Sequence, residues 1–149
     1  MEKKITKNDV ILTVIQSRAV LTNLRDYLVE HAKTINVNIK PEQIFLLLAL
    51  GYFDDLTQEK IASYYGYDRA TTSRVLTRLS DVGAIEITID QHDKRKKHLD
   101  LTKKGKAAYE ELKNLLYKWY EGFDTNNELD ESLKEGVKNL HDKLNIEGK

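Results

Sequence analysis

The chain has 149 residues, 40% of them hydrophobic and 32% charged, with no net charge; this length and balance point to one globular domain with enough apolar material for a core. There is no cysteine, which excludes disulfides, thiol redox sensing, thiolate metal sites and cysteine nucleophiles, and one proline among seven glycines is too little turn material for an all-β fold. The N-terminus is charged without a continuous apolar core, and no apolar run approaches a membrane span, so the sequence predicts neither a signal peptide nor a transmembrane segment and fits a cytoplasmic protein.

The charge is unevenly placed. Residues 1–67 hold eight basic and eight acidic residues, 69–106 hold ten basic and five acidic, and 107–149 hold six basic and ten acidic. A neutral total thus contains one stretch of net +5. Local charge governs attraction to phosphate, so this stretch is the candidate footprint for nucleic acid.

Asn8 to Lys33 reads as a long helix with Val10, Val14, Leu21, Leu24 and Leu28 recurring at helical spacing. Pro41 opens a second helix through Ile44, Phe45, Leu47, Leu48 and Leu50, apolar on most sides and therefore central, which Gly51 and Asp54-Asp55 should end. Thr57 caps a third helix carrying Ile61, Ala62 and Tyr65 inward, and Gly66 stops it. Asp68 offers a new cap two residues later for a fourth helix to about Val82, closed by Gly83. Ile85 to Ile89 alternates apolar and polar, as a half-buried strand does, and Leu99 and Leu101 alternate again after a polar loop over Asp90 to Lys97. Thr102 caps a fifth helix through Tyr120, Gly122 to Asn127 breaks it, and Leu129, Leu133, Val137, Leu140 and Leu144 mark a sixth. The expected fold is therefore mainly α with a small two-stranded β wing: a winged helix-turn-helix between long N- and C-terminal helices.

On a helical projection of the fourth helix, Val75, Leu79 and Val82 share one side, flanked by Leu76 and Thr72. Ala70, Ser73, Arg74 and Thr77 fall opposite, with Arg69 and Arg78 at the margins and Thr71 in the first turn. Small hydrogen-bonding residues around an arginine suit a major groove, where arginine can meet a guanine edge and Ala70 a thymine methyl. An ordinary amphipathic helix with a solvated face gives a similar pattern. Asp93-Lys94-Arg95-Lys96-Lys97 sets four cations at a hairpin tip, where arginine can enter a narrow, A·T-rich minor groove. Asp93 at such a surface makes sense if its carboxylate orients the Arg95 guanidinium. A solvated charge run is the competing reading, and the run's place after a helix-turn-helix and between two strands argues against it.

The segments Thr57-Gln58-Glu59-Lys60-Ile61-Ala62, Asp68-Arg69-Ala70-Thr71-Thr72-Ser73-Arg74, Gly83-Ala84-Ile85-Glu86, Asp90-Gln91-His92-Asp93-Lys94-Arg95 and Leu101-Thr102-Lys103-Lys104-Gly105 together resemble the MarR (multiple antibiotic resistance regulator) family. That resemblance implies a homodimer clamped by the terminal helices, bound to double-stranded DNA. Recognition helices would sit in successive major grooves and wing arginines in the flanking minor grooves. It gives DNA-contact or wing-support roles to Thr71, Ser73, Arg74, Asp93 and Arg95. It also implies a ligand cleft between the dimerisation helices and the winged helix, often for small aromatic anions, whose residues the sequence leaves unassigned. The chain departs from the family pattern at Ala70 for serine, Thr72 for an aliphatic residue, Gln91 for proline and Lys40 for a hydroxyl N-cap.

The expected organisation is a single domain, 1–149, with a DNA-binding region at 36–105 and helical dimerisation regions at 1–35 and 106–149. The expected interface comprises Arg69, Ala70, Thr71, Ser73, Arg74, Thr77, Arg78, Asp93, Lys94, Arg95, Lys96 and Lys97. His31, His92, His98 and His141 are scattered, without metal-ligand spacing, so they read as surface or polar-filler residues and no metal or cofactor is expected. Tyr64, Tyr65 and Tyr67 read as core and turn packing. No nucleophile elbow, phosphate loop or dinucleotide fingerprint occurs, so an enzyme is not expected. The function read from sequence is a transcriptional regulator, a repressor on a pseudo-palindromic operator that a small ligand releases. The alternative is a winged-helix module that docks a protein and not DNA.

Overall fold

The computed structural model describes residues 3–33, 40–122 and 128–144. The chain runs α1 (Lys7–His31), α2 (Pro41–Tyr52), α3 (Gln58–Tyr65), α4 (Arg69–Asp81), β1 (Ile85–Ile89), β2 (Lys97–Leu101), α5 (Lys103–Glu121) and α6 (Glu128–Leu144). The expected elements are all present, with bounds shifted by a residue or two.

Local side chains set most of the helix starts. Thr6 and Asp9 exchange bonds with each other's backbone N–H at the head of α1. Thr57 accepts from the Lys60 N–H, Asp68 from the Thr71 N–H and Thr102 from the Gly105 N–H, each satisfying a donor that the first helical turn leaves orphaned. At α2, where a hydroxyl cap is missing, the buried Gln43 reaches back and its Oε1 accepts the Lys40 N–H at 2.7 Å.

The core gathers Leu24 and Leu28 of α1, Ile44, Leu46, Leu47 and Leu50 of α2, Ile61 of α3, Val75, Leu76 and Leu79 of α4, Ile85 of β1, and Ala108 and Leu112 of α5. Burial of each large side chain is worth about 1.5–3 kcal/mol. Two ties fasten α1 to α5: Trp119 Nε1 donates to Asn23 Oδ1 at 3.0 Å, and the Lys33 N–H donates to the Glu111 carboxylate. Tyr65 anchors α3 to α2 by donating its hydroxyl to the Phe45 carbonyl at 2.8 Å. Burial, with Tyr67 and Tyr64 nearby, pushes that hydroxyl's pKa up to about 12, so it remains a donor at any physiological pH.

Gly51 does not end α2, which continues to Tyr52. Its role is one of space. A Cβ at Gly51 would lie 2.2 Å from the Tyr109 ring of α5, so the glycine lets that ring lie against the α2 backbone. Gly51→Ala must displace Tyr109 and is expected to cost about 1–3 kcal/mol, as overpacking does; a thermal melt checks this. Gly66, by contrast, stops α3 as expected, with φ +63° in the left-handed region that glycine adopts without strain.

β1 and β2 form one antiparallel pair, with Ile85 opposite Leu101 and Ile89 opposite Lys97. Lys97 therefore belongs to the strand and not to the loop. The expected apolar face fades outward: Ile85 is buried, Ile87 half-buried and Ile89 61% exposed, because the hairpin leaves the core as it extends. Its base is clamped by Thr102, whose hydroxyl donates to the Gly83 carbonyl and whose N–H donates to the Ala84 carbonyl.

Much of α1 and all the described side chains of α6 except the half-buried His141 are exposed. Val10, Ile11, Leu12, Val14, Ile15, Val20 and Leu21 on α1, and Leu133, Val137, Leu140 and Leu144 on α6, are each more than half exposed. The side chain of Leu129, and residues 123–127 of the expected break after α5, lie outside what is described. No described helix is long and apolar enough to cross a membrane.

Candidate nucleic-acid interface and adjoining cleft

α3 and α4 are joined by Gly66, Tyr67 and Asp68, with the Tyr67 N–H reaching back to the Ala62 carbonyl at 3.1 Å. This tight connection turns α4 so that Thr72, Val75, Leu76 and Leu79 are buried. Arg69, Ala70, Arg74, Thr77 and Arg78 are then exposed, while Thr71 and Ser73 are partly covered. The projection made from sequence is thus the face the fold presents. Thr72, polar on the core side, is accommodated by donating its hydroxyl to the Asp68 carbonyl at 2.9 Å.

Thr71 has a second use. The Asp68 carboxylate accepts its N–H at 2.6 Å, and Arg74 Nη2 donates to its hydroxyl at 3.1 Å. Those Thr71 bonds, with Arg74 beyond them, hold the Asp68 carboxyl below its ordinary pKa. Cap, threonine and arginine form one chain, which orients the guanidinium on the outward face.

The wing is built by two aspartates acting on the backbone. Asp90 Oδ1 accepts the N–H groups of His92 and Asp93, both at 2.8 Å, while its Oδ2 accepts from His98 Nε2 across the hairpin at 2.8 Å. Asp93 Oδ1 then accepts the Arg95 N–H at 3.0 Å, and the Lys96 N–H donates to the Asp93 carbonyl at 2.9 Å. Asp93 therefore does not orient the Arg95 guanidinium, as expected from sequence; it folds the turn on which Arg95 stands. A short aspartate two residues before an N–H forms a closed turn more readily than it reaches the end of a long arginine.

His98, read from sequence as a surface or filler histidine, and Asp90, not singled out there, are both structural parts of the wing. The signal was the hairpin register, which puts His98 beside the end of β1. The bond from His98, followed by those from the Asp93 and His92 N–H groups, pulls the Asp90 carboxyl down to about 2. Its folded value lies below its unfolded one, so its contribution is full above the ordinary carboxyl range and fades as pH falls through about 2. The amide proton shifts of His92 and Asp93 should accordingly titrate with a midpoint near 2, below the ordinary carboxyl range; an NMR titration of the wing checks it.

Arg69, Arg74, Arg78, Lys94, Arg95, Lys96 and Lys97 are all exposed. None takes part in the ion pairs found among the described residues, which involve Arg25, His98, Lys113, Lys138 and His141. Among the described residues these seven cations on α4 and the wing form no ion pair, as suits a phosphate-binding surface.

Beside the helix-turn-helix lies an apolar cleft of about 600 Å³, lined by Leu21 of α1, Phe45, Leu48, Ala49 and Tyr52 of α2, Phe53, Tyr65 of α3, and Tyr109, Lys113 and Leu116 of α5. Lys113 stands 5.3 Å from the Tyr109 ring centre and pairs with Glu110 at 2.6 Å. Sequence reasoning did not find these residues, because they come from four helices and are brought together only by packing. Among the described residues no group of three His, Asp or Glu side chains is placed to hold a metal ion.

The model of the MarR family matches residues 37–96. Among curated proteins, the chain is 30% identical over 97 residues to the HTH-type transcriptional regulator BilQ of Clostridioides difficile, a match covering 65% of each. It is 39% identical over 57 residues to the HTH-type transcriptional regulator PetP of Rhodobacter capsulatus, covering 38% of this chain and 34% of PetP. The chain therefore spans less than two thirds of the length of either relative. Among solved structures, a MarR transcriptional regulator from Methanosarcina mazei Go1 superposes with a TM-score of 0.71 at 24% identity, over 90% of this chain and 98% of that one. A MarR family transcriptional regulator from Listeria monocytogenes, solved in complex with a 26mer DNA, does so with a TM-score of 0.66 at 22% identity, over 95% and 92%. The sequence match falls on the helix-turn-helix and wing, and the structural likeness extends the same fold over the flanking helices. Over residues 37–96 the chain is similar to the MarR family, and across the flanking helices it shares the fold of solved MarR regulators.

Proposed function

We propose that the protein is a cytoplasmic, sequence-specific double-stranded DNA-binding regulator that works as a homodimer on a pseudo-palindromic operator. The observation that carries this reading is the set of seven exposed cations on α4 and the wing that form no ion pair among the described residues. In this reading α4 enters the major groove with Arg69, Ala70, Thr71, Ser73, Arg74, Thr77 and Arg78. The wing lays Lys94, Arg95, Lys96 and Lys97 along the minor groove, with Asp93 as wing support. Residues 36–105 make up the DNA-binding region, and 1–35 with 106–149 the dimerisation region. The apolar faces of α1 and α6 support the dimer, because lone domains seldom leave such stripes in water. A protein-docking face would instead be depleted of charge and rich in exposed aromatics.

We take the sign of regulation to be repression relieved by a ligand. The cleft supports a small ligand with an apolar, aromatic body, and Lys113 at its rim supplies the cation for an anionic group. A ligand wedged between α1, α2 and α5 on one side and Tyr65 of α3 on the other would change the angle at which α4 meets DNA. Selection of bound sequences from random duplexes tests the whole reading. The expected result is a half-site repeated about one helical turn apart; recovery of unenriched sequence would move a protein-docking role into first place.

A further inference from the structure

We propose that Asp90 and His98 are positioning residues of the DNA interface, which lock the wing loop in the shape that turns Arg95 and its lysine neighbours toward the duplex. The inference rests on the DNA-binding reading above and adds two residues to it.

A carboxylate in a DNA-facing hairpin works against phosphate binding unless it has another task. Asp90 makes four bonds within its own hairpin. Its Oδ1 takes the His92 and Asp93 N–H groups, its Oδ2 takes His98 Nε2, and its N–H donates to the Lys96 carbonyl at 2.9 Å. Those bonds start one residue past the last paired position of β1, reach both halves of the turn and cross to β2. Four cations follow within the next seven residues, yet none of them pairs with Asp90; the partner is His98. Asp93 then continues the fold by holding the Arg95 N–H. Asp90 thus orders the first half of the loop, Asp93 the second, and His98 fixes Asp90 from the opposite strand. Loop residues 91–96 are all exposed, so no packing from the core can replace these bonds.

The sign of the Asp90→Ala effect decides between a lock and a mere surface charge. Removing an anion beside phosphates tightens binding if Asp90 is only a charge. If it is the lock, Asp90→Ala weakens binding by about tenfold and lowers the magnitude of the salt slope by roughly one per subunit, because ordered wing contacts are lost. Asp90→Asn removes the same charge but keeps an oxygen for the two N–H groups, so it should restore affinity to within about threefold of the parent, a difference well under 1.4 kcal/mol. His98→Ala should show the Asp90→Ala defect in milder form, and its exposed position leaves the rest of the fold intact. The full chain and these three variants are titrated with a duplex the parent has selected, at several salt concentrations. Tryptic cleavage at Lys94 to Lys97 and a thermal melt are followed in parallel. The expected result is faster wing cleavage in Asp90→Ala and His98→Ala while the rest of the fold still melts cooperatively, with weaker DNA binding that Asp90→Asn repairs. Tighter binding by Asp90→Ala, or wing cleavage equal to the parent's, overturns the lock. If the parent binds no duplex, the DNA-binding reading fails by itself, and so does any role in positioning its contacts.

Discussion

Replacing Val137 and Leu140 with glutamate is expected to turn the protein into a monomer that still folds, and to weaken operator binding by about 10²–10⁴-fold, the advantage gained by linking two readers. Both side chains are 60% exposed in the isolated chain, so their loss removes little from its own core. They stand three residues apart on α6, in line with Leu133 and Leu144, and charges there would be buried only against a partner. An unpaired buried charge costs several kcal/mol, enough to break an association between marginal faces. The two substitutions leave His141, which stacks on Tyr64 of α3 at 5.7 Å, in place, so α6 keeps its contact with the helix-turn-helix. Sedimentation and a half-site duplex are the checks. A folded double variant that sediments as a dimer would refute α6 as the interface. A monomer that binds a half-site like the parent, while losing the full operator, would support it.

Where the sequence could be read and where it could not follows from the range of the forces involved. Thr57, Asp68 and Thr102 act on N–H groups three residues away, so their caps were visible in a short window. The outward face of α4 was visible for the same reason: helical geometry alone separates Arg74 from Val75 and Leu79. Gly51 looks like a stop within an apolar run, because the ring on α5 that requires it is out of view in the sequence. The cleft was unreadable in principle from periodicity, since Leu21, Phe45, Tyr65 and Tyr109 meet only after four helices pack.

The wing lies between these cases. Asp93 was recognised as odd, but the expected partner was the Arg95 guanidinium when the actual one is the Arg95 N–H. In the folded wing the local turn preference outweighs the attraction of opposite charges, which in an exposed loop is worth little. His98 reads as filler in the sequence because its partner sits eight residues back across a hairpin. Only the register, Thr88 opposite His98, brings it to Asp90.

Separating Arg74 from Arg95 is the second large expected effect. Arg74 stands on the exposed face of α4, held by Thr71, where a bidentate contact to a guanine edge is within its chemistry. Arg74→Ala should therefore cost about 1–3 kcal/mol on the best site and flatten discrimination at one or two half-site positions. Arg95 stands on a loop tip whose backbone is fixed by Asp93, and a tip so thin can read only groove width and potential. Arg95→Ala should weaken binding to most duplexes, lower the magnitude of the salt slope by roughly one per subunit, and lose preference only in flanking A·T-rich tracts. Asp93 supplies the internal control. It acts through an acceptor oxygen and not through a side-chain ion pair, so Asp93→Asn should bind like the parent while Asp93→Ala resembles a milder Arg95→Ala. Isotherms at several salt concentrations, on matched, single-mismatch and flank-swapped duplexes, distinguish these patterns. Parental binding by both arginine variants would remove DNA from the proposed function, because nothing else on α4 or the wing combines exposure, charge and a built support to the same degree.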